Sequence, residues 1–254
     1  MRRLNGYSLS DKGKVRSHNE DSVGLFVNSN RQQLAVIADG MGGHNAGDVA
    51  SGMVSSLLKE KWHESEKINL PENAESWLLQ TIVDINNKVF AYAQDHSECA
   101  GMGTTVVAAI CTNDFVTIAH IGDSRCYLYN EQGFKQITED HSLVNELVRS
   151  GQISKDDAEY HPRKNVLLKA LGTELDVQAD VQTIGWEKGD KLLLCSDGLS
   201  NKVTDVELED FLSDSRSLED LAVALVHLAN DRGGEDNISL ALLHYMVDQE
   251  EGEL

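Results

Sequence analysis

"LAVIADGMGGHNAGD", residues 34–48, carries the pattern on which the reading of this chain turns. An apolar run, Leu34 to Ala38, meets Asp39, and Gly40, Gly42, Gly43 and Gly47 follow within a few positions. A short apolar run bounded by turn residues reads as a buried strand. A carboxylate at the end of such a strand is costly unless something pairs with it. The glycines invite comparison with a phosphate loop, and Gly42 and Gly47 have the right separation. The next residues, however, are Asp48 and Val49, where a nucleotide loop needs Lys and Ser or Thr. The dinucleotide fingerprint fails as well, because Asn45 stands where its third glycine belongs.

The strand-Asp-Gly pattern recurs. "LLLCSDG" ends in Asp197-Gly198, "HIGDSR" puts Asp123 in a glycine turn, and "GGEDN" sets Asp236 just before the last apolar run. One such Asp is ordinarily a turn or cap residue. Four of them in a sheet protein repel one another if they converge, unless cations lie between them. Carboxylates without clustered His or Cys select Mg²⁺ or Mn²⁺ rather than zinc, and a glycine beside an Asp lets the main chain approach an ion closely.

Strand-like segments are expected at 21–27, 33–38, 104–112, 115–121, 125–130, 191–195 and 238–246. Residues 104–130 read as an antiparallel meander with a tight turn at Asn113-Asp114. Helical periodicity covers 48–63, 75–95 and 218–231. Strands, two helices, many strands, then a late helix and strand make an α+β protein, with helices covering antiparallel sheets. Residues 139–171 differ in texture: short amphipathic pieces are broken at Gly151 and Pro162, with basic residues at Arg163, Lys164 and Lys169. Residues 247–254 read as an acidic tail.

The formal charge of the 254 residues is 22 − 42 = −20, which opposes nucleic acid or an anionic membrane surface as a partner. Cys99, Cys111, Cys126 and Cys195 lack metal-site spacing and are expected to be buried free thiols. No apolar stretch approaches the length of a membrane span or signal segment, so a cytoplasmic protein is expected.

Nine motifs in order, "VRSHNED", "ADGMGGHNAGD", "GMGTT", "HIGDSR", "EDHSLV", "HPRKN", "KALG", "LCSDGLSN" and "GGEDN", run from Val15 to Asn237. Together they resemble the metal-dependent protein phosphatase family, also called PPM or protein phosphatase 2C, in the short form of Gram-positive bacteria. The resemblance implies a four-layer α-β-β-α sandwich of two antiparallel sheets, one domain over 1–246, with a flap subdomain at about 139–170. It implies hydrolysis of phosphoserine and phosphothreonine on proteins by a water activated between two Mn²⁺ or Mg²⁺ ions, opposing a bacterial Ser/Thr kinase.

By the same resemblance Asp39 is the catalytic bridge between the two ions and Gly40 contributes its carbonyl. Asp197 and Asp236 complete the ligands, and Asp123 belongs to a third, weaker ion. Glu20 and Asp21 act through metal-bound waters, and Arg16 holds the substrate phosphate. Three positions depart from the pattern or stay open. Met41 stands where eukaryotic relatives carry a proton-donating His, with His44 as a possible substitute. Asn201 replaces an Asp that assists the third ion in some relatives. For His141 and His161, capping or packing competes with catalysis. A phosphoprotein-binding scaffold and a switch phosphatase for one substrate are the competing readings. A monomer is expected.

Overall fold

The computed structural model describes residues 3–43 and 46–246. His44 and the tail at 247–254 therefore lie outside the described residues.

Eleven strands form two sheets among these residues: β1 (Arg3–Asp11), β2 (Asp21–Val27), β3 (Gln33–Met41), β4 (Gly103–Thr104), β5 (Val106–Cys111), β6 (Phe115–Ile121), β7 (Arg125–Asn130), β8 (Gly133–Gln136), β9 (Asp180–Gly185), β10 (Lys191–Cys195) and β11 (Ile238–Met246). One sheet has the order β1-β11-β10-β7-β8, the other β2-β3-β5-β6-β9 with β4 added to β3, and every pairing is antiparallel. The helices are α1 (Ala46–His63), α2 (Pro71–Asp95), α3 (Leu143–Arg149), α4 (Lys155–Glu159), α5 (Asp197–Ser200), α6 (Asp205–Ser213) and α7 (Leu218–Asp231).

Strand alternation sorts the side chains into three cores. On β3, Leu34, Val36 and Ala38 pack under α1 and α2, with Leu58, Trp62, Leu78 and Ile82. Ala35 and Ile37 point the other way, into the space between the sheets, where they meet Val107, Ile118, Leu194 and Leu243. The far faces of β10 and β11 bury Leu193, Leu240 and Leu242 against Leu208, Leu221 and Leu225 of α6 and α7. The result is the four-layer α-β-β-α sandwich. Because the side-chain period of a strand is two, Asp39 follows Ala35 and Ile37 to the inter-sheet face. Asp21 lies directly opposite Asp39 in the β2–β3 register.

The meander expected over 104–130 is corrected. β5 and β6 do form a hairpin closed around Asn113-Asp114, where the Thr112 hydroxyl accepts from the amides of Asp114 and Phe115. But β7 pairs with β10 and β8, in the other sheet. The switch occurs at Gly122, whose φ of +103° is strained for any residue with a side chain and whose added Cβ would press on Thr105. The strand expected at 104–112 is interrupted at Thr105, opposite Asp39 in the register: the Thr105 amide donates to the Asp39 carbonyl at 2.8 Å, but the Asp39 amide donates to Thr105 Oγ1 in place of the Thr105 carbonyl.

The expected strand at 33–38 continues to Met41, and the expected helix at 75–95 starts earlier, at Pro71, where a missing amide proton is harmless in the first turn. β1, β8, β9 and α6 are additions to the sequence reading. β9 is an edge strand with mixed exposure, so no clean alternation marks it. The four cysteines are buried and free. No helix among the described residues is long and apolar enough to cross a membrane.

Candidate active site

Asp39, Asp21, Asp197, Asp236 and Asp123 converge at one end of the inter-sheet space, brought there by five different strand ends. Each is half-buried. The main chain around Asp39 is fixed on both sides. Its amide donates to Thr105 Oγ1 at 3.0 Å, and its carbonyl accepts from the Thr105 amide and the Thr104 hydroxyl, each at 2.8 Å. Gly40 donates its amide to the Glu20 carbonyl, and a Cβ there would collide with the carbonyl oxygens of Gly47 and Glu20. Only glycine permits that approach of β3 to the start of α1.

Asp197 opens α5, with Asn201 Nδ2 donating to its Oδ2 at 3.0 Å. An Asp at 201 would add a negative charge at that contact, whereas Asn bonds there as a neutral donor. Arg16 Nη2 donates to Asp236 Oδ2 at 2.8 Å, while Glu20 acts on Arg16 only through its charge. The arginine side chain is about half exposed, on the open side of the cluster.

The electrostatics are those of crowded anions. Burial first, then the charges of Asp21, Asp197, Asp123 and Asp236, push Asp39 well above the usual carboxylate range. Burial and the neighbouring carboxylates raise Asp21 to about 6, and burial with Asp197 and Asp140 raises Asp123 to about 7. Asp197 and Glu20 also move up, each mainly from burial. Asp21 Oδ1 is buried with no hydrogen-bond partner. An all-oxygen donor set, repelling charges and an orphaned carboxylate oxygen fit a hard divalent cation. A second group of ligand-type atoms among the described residues lies elsewhere, at His120, His141 and Asp180, all within 4.8 Å of one another. Within the central cluster Asp197 takes a hydrogen bond from Asp39, as two close carboxyls do when one keeps its proton.

Three supporting residues escaped the sequence reading. Ser196 Oγ donates to Asp21 Oδ2 at 2.8 Å and accepts from the Ser239 amide. Asn237 Oδ1 accepts from the Glu20 amide, and its Nδ2 donates to the carbonyls of Lys12 and His18, which holds the loop bearing Arg16 over Asp236. Thr105 is the third. These side chains sit inside the quoted motifs, but polar residues at strand ends give no periodic signal. Met41 ends β3, paired with Gly103, and carries no proton to donate.

The family model described as "Protein phosphatase 2C" matches residues 10–240. A serine/threonine phosphatase stp of Listeria innocua is 48% identical over 234 residues, covering 92% of this chain and 93% of its own length. The crystal structure of the serine/threonine phosphatase Stp1 from Staphylococcus aureus superposes with a TM-score of 0.91 at 41% identity, covering 95% of each chain. The catalytic domain of the serine threonine protein phosphatase PstP, solved in complex with two manganese ions, gives a TM-score of 0.85 at 32% identity, covering 97% of this chain and all of that one.

Proposed function

We propose, from the premise that this chain belongs to the protein phosphatase 2C family of serine/threonine phosphatases, that it removes phosphate from phosphoserine and phosphothreonine of proteins with two Mn²⁺ or Mg²⁺ ions and a third, weaker one. In the cell it would oppose a Ser/Thr kinase. The observation that carries the reading is the convergence of Asp39, Asp197 and Asp236 in one half-buried cluster with Arg16 beside it.

In this reading Asp39, the Gly40 carbonyl, Asp197 and Asp236 hold the two core ions, and Asp123 holds the third. Bound there, such ions supply a water nucleophile near neutral pH and neutralise the phosphoryl group. The chain's own residues do the rest. Asp21 and Glu20 would accept hydrogen bonds from waters on bound ions, a use open to Asp21 Oδ1, which has no protein partner. Arg16 offers a guanidinium fork to the phosphate oxygens, exchanging its bond to Asp236 once that carboxylate is engaged. The buried ladder around Asp39 costs nothing to reorganise during turnover, because Thr104 and Thr105 already fix it. Met41 donates no proton to the leaving alkoxide.

The test is phosphate release from a phosphothreonine peptide, with added Mn²⁺ and with excess chelator. Activity is expected only with the ion. Turnover unaffected by chelation overturns the metal-dependent reading.

The segment from Glu139 to Ala170, proposed as the flap, exposes Arg163 and Lys164 in a protein of net charge −20. Such a basic patch steers acidic phosphopeptides. Replacing both residues with Ala is expected to raise KM for a phosphoprotein about tenfold, with kcat and the hydrolysis of a small aryl phosphate unchanged. Equal effects on both substrates would remove the steering role.

A further inference from the structure

His141 lies at the root of the Glu139–Ala170 segment, and the chemistry above gives it no task. It is nonetheless tightly placed. Its amide donates to the Gly122 carbonyl at 2.9 Å, and the Gly122 amide donates back to His141 Nδ1 at 3.2 Å. The imidazole is only 9% exposed, and its Nε2 faces Asp180 Oδ2 at 3.4 Å with no closer partner. Lys169 donates to the other oxygen of Asp180 at 3.2 Å, and the His120 ring stacks on His141 with centroids 4.7 Å apart. His120 is itself oriented by the Glu139 carbonyl, 2.8 Å from its Nε2.

The turn that His141 grips is the one that presents Asp123. Its opposite side is held by Ser124 Oγ, 2.8 Å from Thr105 Oγ1, the hydroxyl that also accepts the Asp39 amide. The Gly122–Ser124 turn is therefore clamped between the Asp39 strand and the root of the flap segment. A clamp matters here because the Asp123 carboxylate is crowded by Asp197 and Asp140, and Gly122, having no side chain, does not by its own sterics confine the turn to one conformation.

His120, His141 and Asp180 also have the composition of a transition-metal site. The hydrogen bonds argue otherwise. Burial, the neighbouring His120 and Lys169 hold His141 below the ordinary imidazole range, so the ring is neutral and carries one proton. With the Gly122 N–H on Nδ1, that proton is on Nε2, where a cation would need a lone pair. The group is a chain of polar contacts from Lys169 through Asp180 and His141 to Gly122, hydrogen-bonded at both ends and joined at 3.4 Å between Asp180 and His141.

We infer that His141 is a positioning residue for Asp123: its ring, aimed by Asp180, fixes the Gly122–Asp123 turn and so sets how well Asp123 can hold a cation. The inference rests on the proposed role of Asp123 as ligand to the third ion. Residues that orient a ligand typically change metal affinity by about 10–100-fold.

The experiment is a Mn²⁺ titration of the full chain, following the free-ion signal by electron paramagnetic resonance, together with thermal melts. Wild type is compared with Asp123→Asn, His141→Ala, His141→Asn and Asp180→Asn. Asp123→Asn is expected to remove the weakest class of site. His141→Ala is expected to weaken that class by about 10–100-fold and leave the tighter sites within about twofold. Asp180→Asn should fall between His141→Ala and wild type. His141→Asn, whose Oδ1 can still accept the Gly122 amide, should recover most of the affinity.

If His141→Ala leaves the weakest class unchanged while Asp123→Asn removes it, the positioning role is wrong and the ligand role of Asp123 stands. If Asp123→Asn leaves that class intact, the ligand reading is wrong and the inference falls with it. A uniform loss at all sites with a lowered Tm marks a general packing role and overturns the inference. So does an ion lost in His141→Ala and Asp180→Asn but kept in Asp123→Asn, which would place a metal on the histidine pair.

Discussion

Asp39→Asn is expected to lower kcat on a phosphothreonine peptide by about 10³-fold or more at saturating Mn²⁺, the scale of losing a group that organises charge at the reacting centre. The same substitution is expected to raise the Tm of the metal-free protein. Asp39 is the carboxylate most disfavoured by its surroundings, with burial and four acidic neighbours acting against its charge. An isosteric amide removes that charge and keeps the main-chain bonds to Thr104 and Thr105, which do not involve the side chain. Activity and stability thus move in opposite directions, a signature that a folding defect does not produce. Unimpaired turnover would take Asp39 out of the site, and a lowered metal-free Tm would show that the cluster is not under repulsive load.

The second large effect concerns pH and metal together. Asp21 and Asp123 hold their protons up to about 6 and about 7 in the folded metal-free chain, against an ordinary value of 3.8. A carboxyl whose folded-state pKa is raised binds protons more tightly folded than unfolded, so its contribution to stability falls as pH rises. The loss begins at the unfolded value near 4, runs through the folded values, and is complete by about pH 8. With chelator present, Tm is therefore expected to decline between pH 5 and 8. Adding Mn²⁺ at about 100 times its Kd contributes about 2.7 kcal/mol, which is about 5–10 °C for a chain of this size. The gain should be largest at pH 8, where the carboxylates are charged, and smallest at pH 5. Melting scans at each pH with and without Mn²⁺ check it. A metal-free Tm that rises across this window, or a Mn²⁺ effect independent of pH, contradicts the carboxylate cluster as the binding place.

The acidity of the whole chain gains a local meaning from these effects. A surface of net charge −20 repels a phosphoprotein, and bound cations would reverse the sign only where the substrate must arrive. In the proposed reading Arg16, which pairs with Asp236 at 2.8 Å, would be released to meet phosphate once that carboxylate held a cation.

Much of this protein was legible from residues alone. The apolar run from Leu34 to Ala38 had to be a buried strand, and period-two alternation carried Asp39 to the same face as Ala35 and Ile37. The helices whose stripes recur every three or four residues, as at Leu221, Leu225 and Leu228, were equally plain. Local chemistry, strand parity and the recurrence of Asp-Gly after apolar runs together pointed to a carboxylate-lined site.

What the sequence could not decide was set by contacts between distant segments. The change of sheet between β6 and β7 at Gly122 depends on how Thr105 and His141 receive the turn, and residues 104–130 carry no local sign of it. β1 and β9 are edge strands, stabilised by pairing with β11 and β6 rather than by any pattern of their own. Ser196, Asn237 and Thr105 became site residues because tertiary packing set their hydroxyl and amide groups against Asp21, Glu20 and Asp39. Periodicity reports which face a residue occupies; only the folded chain fixes which polar groups meet there, because a hydrogen bond depends on distance and angle that no linear spacing encodes.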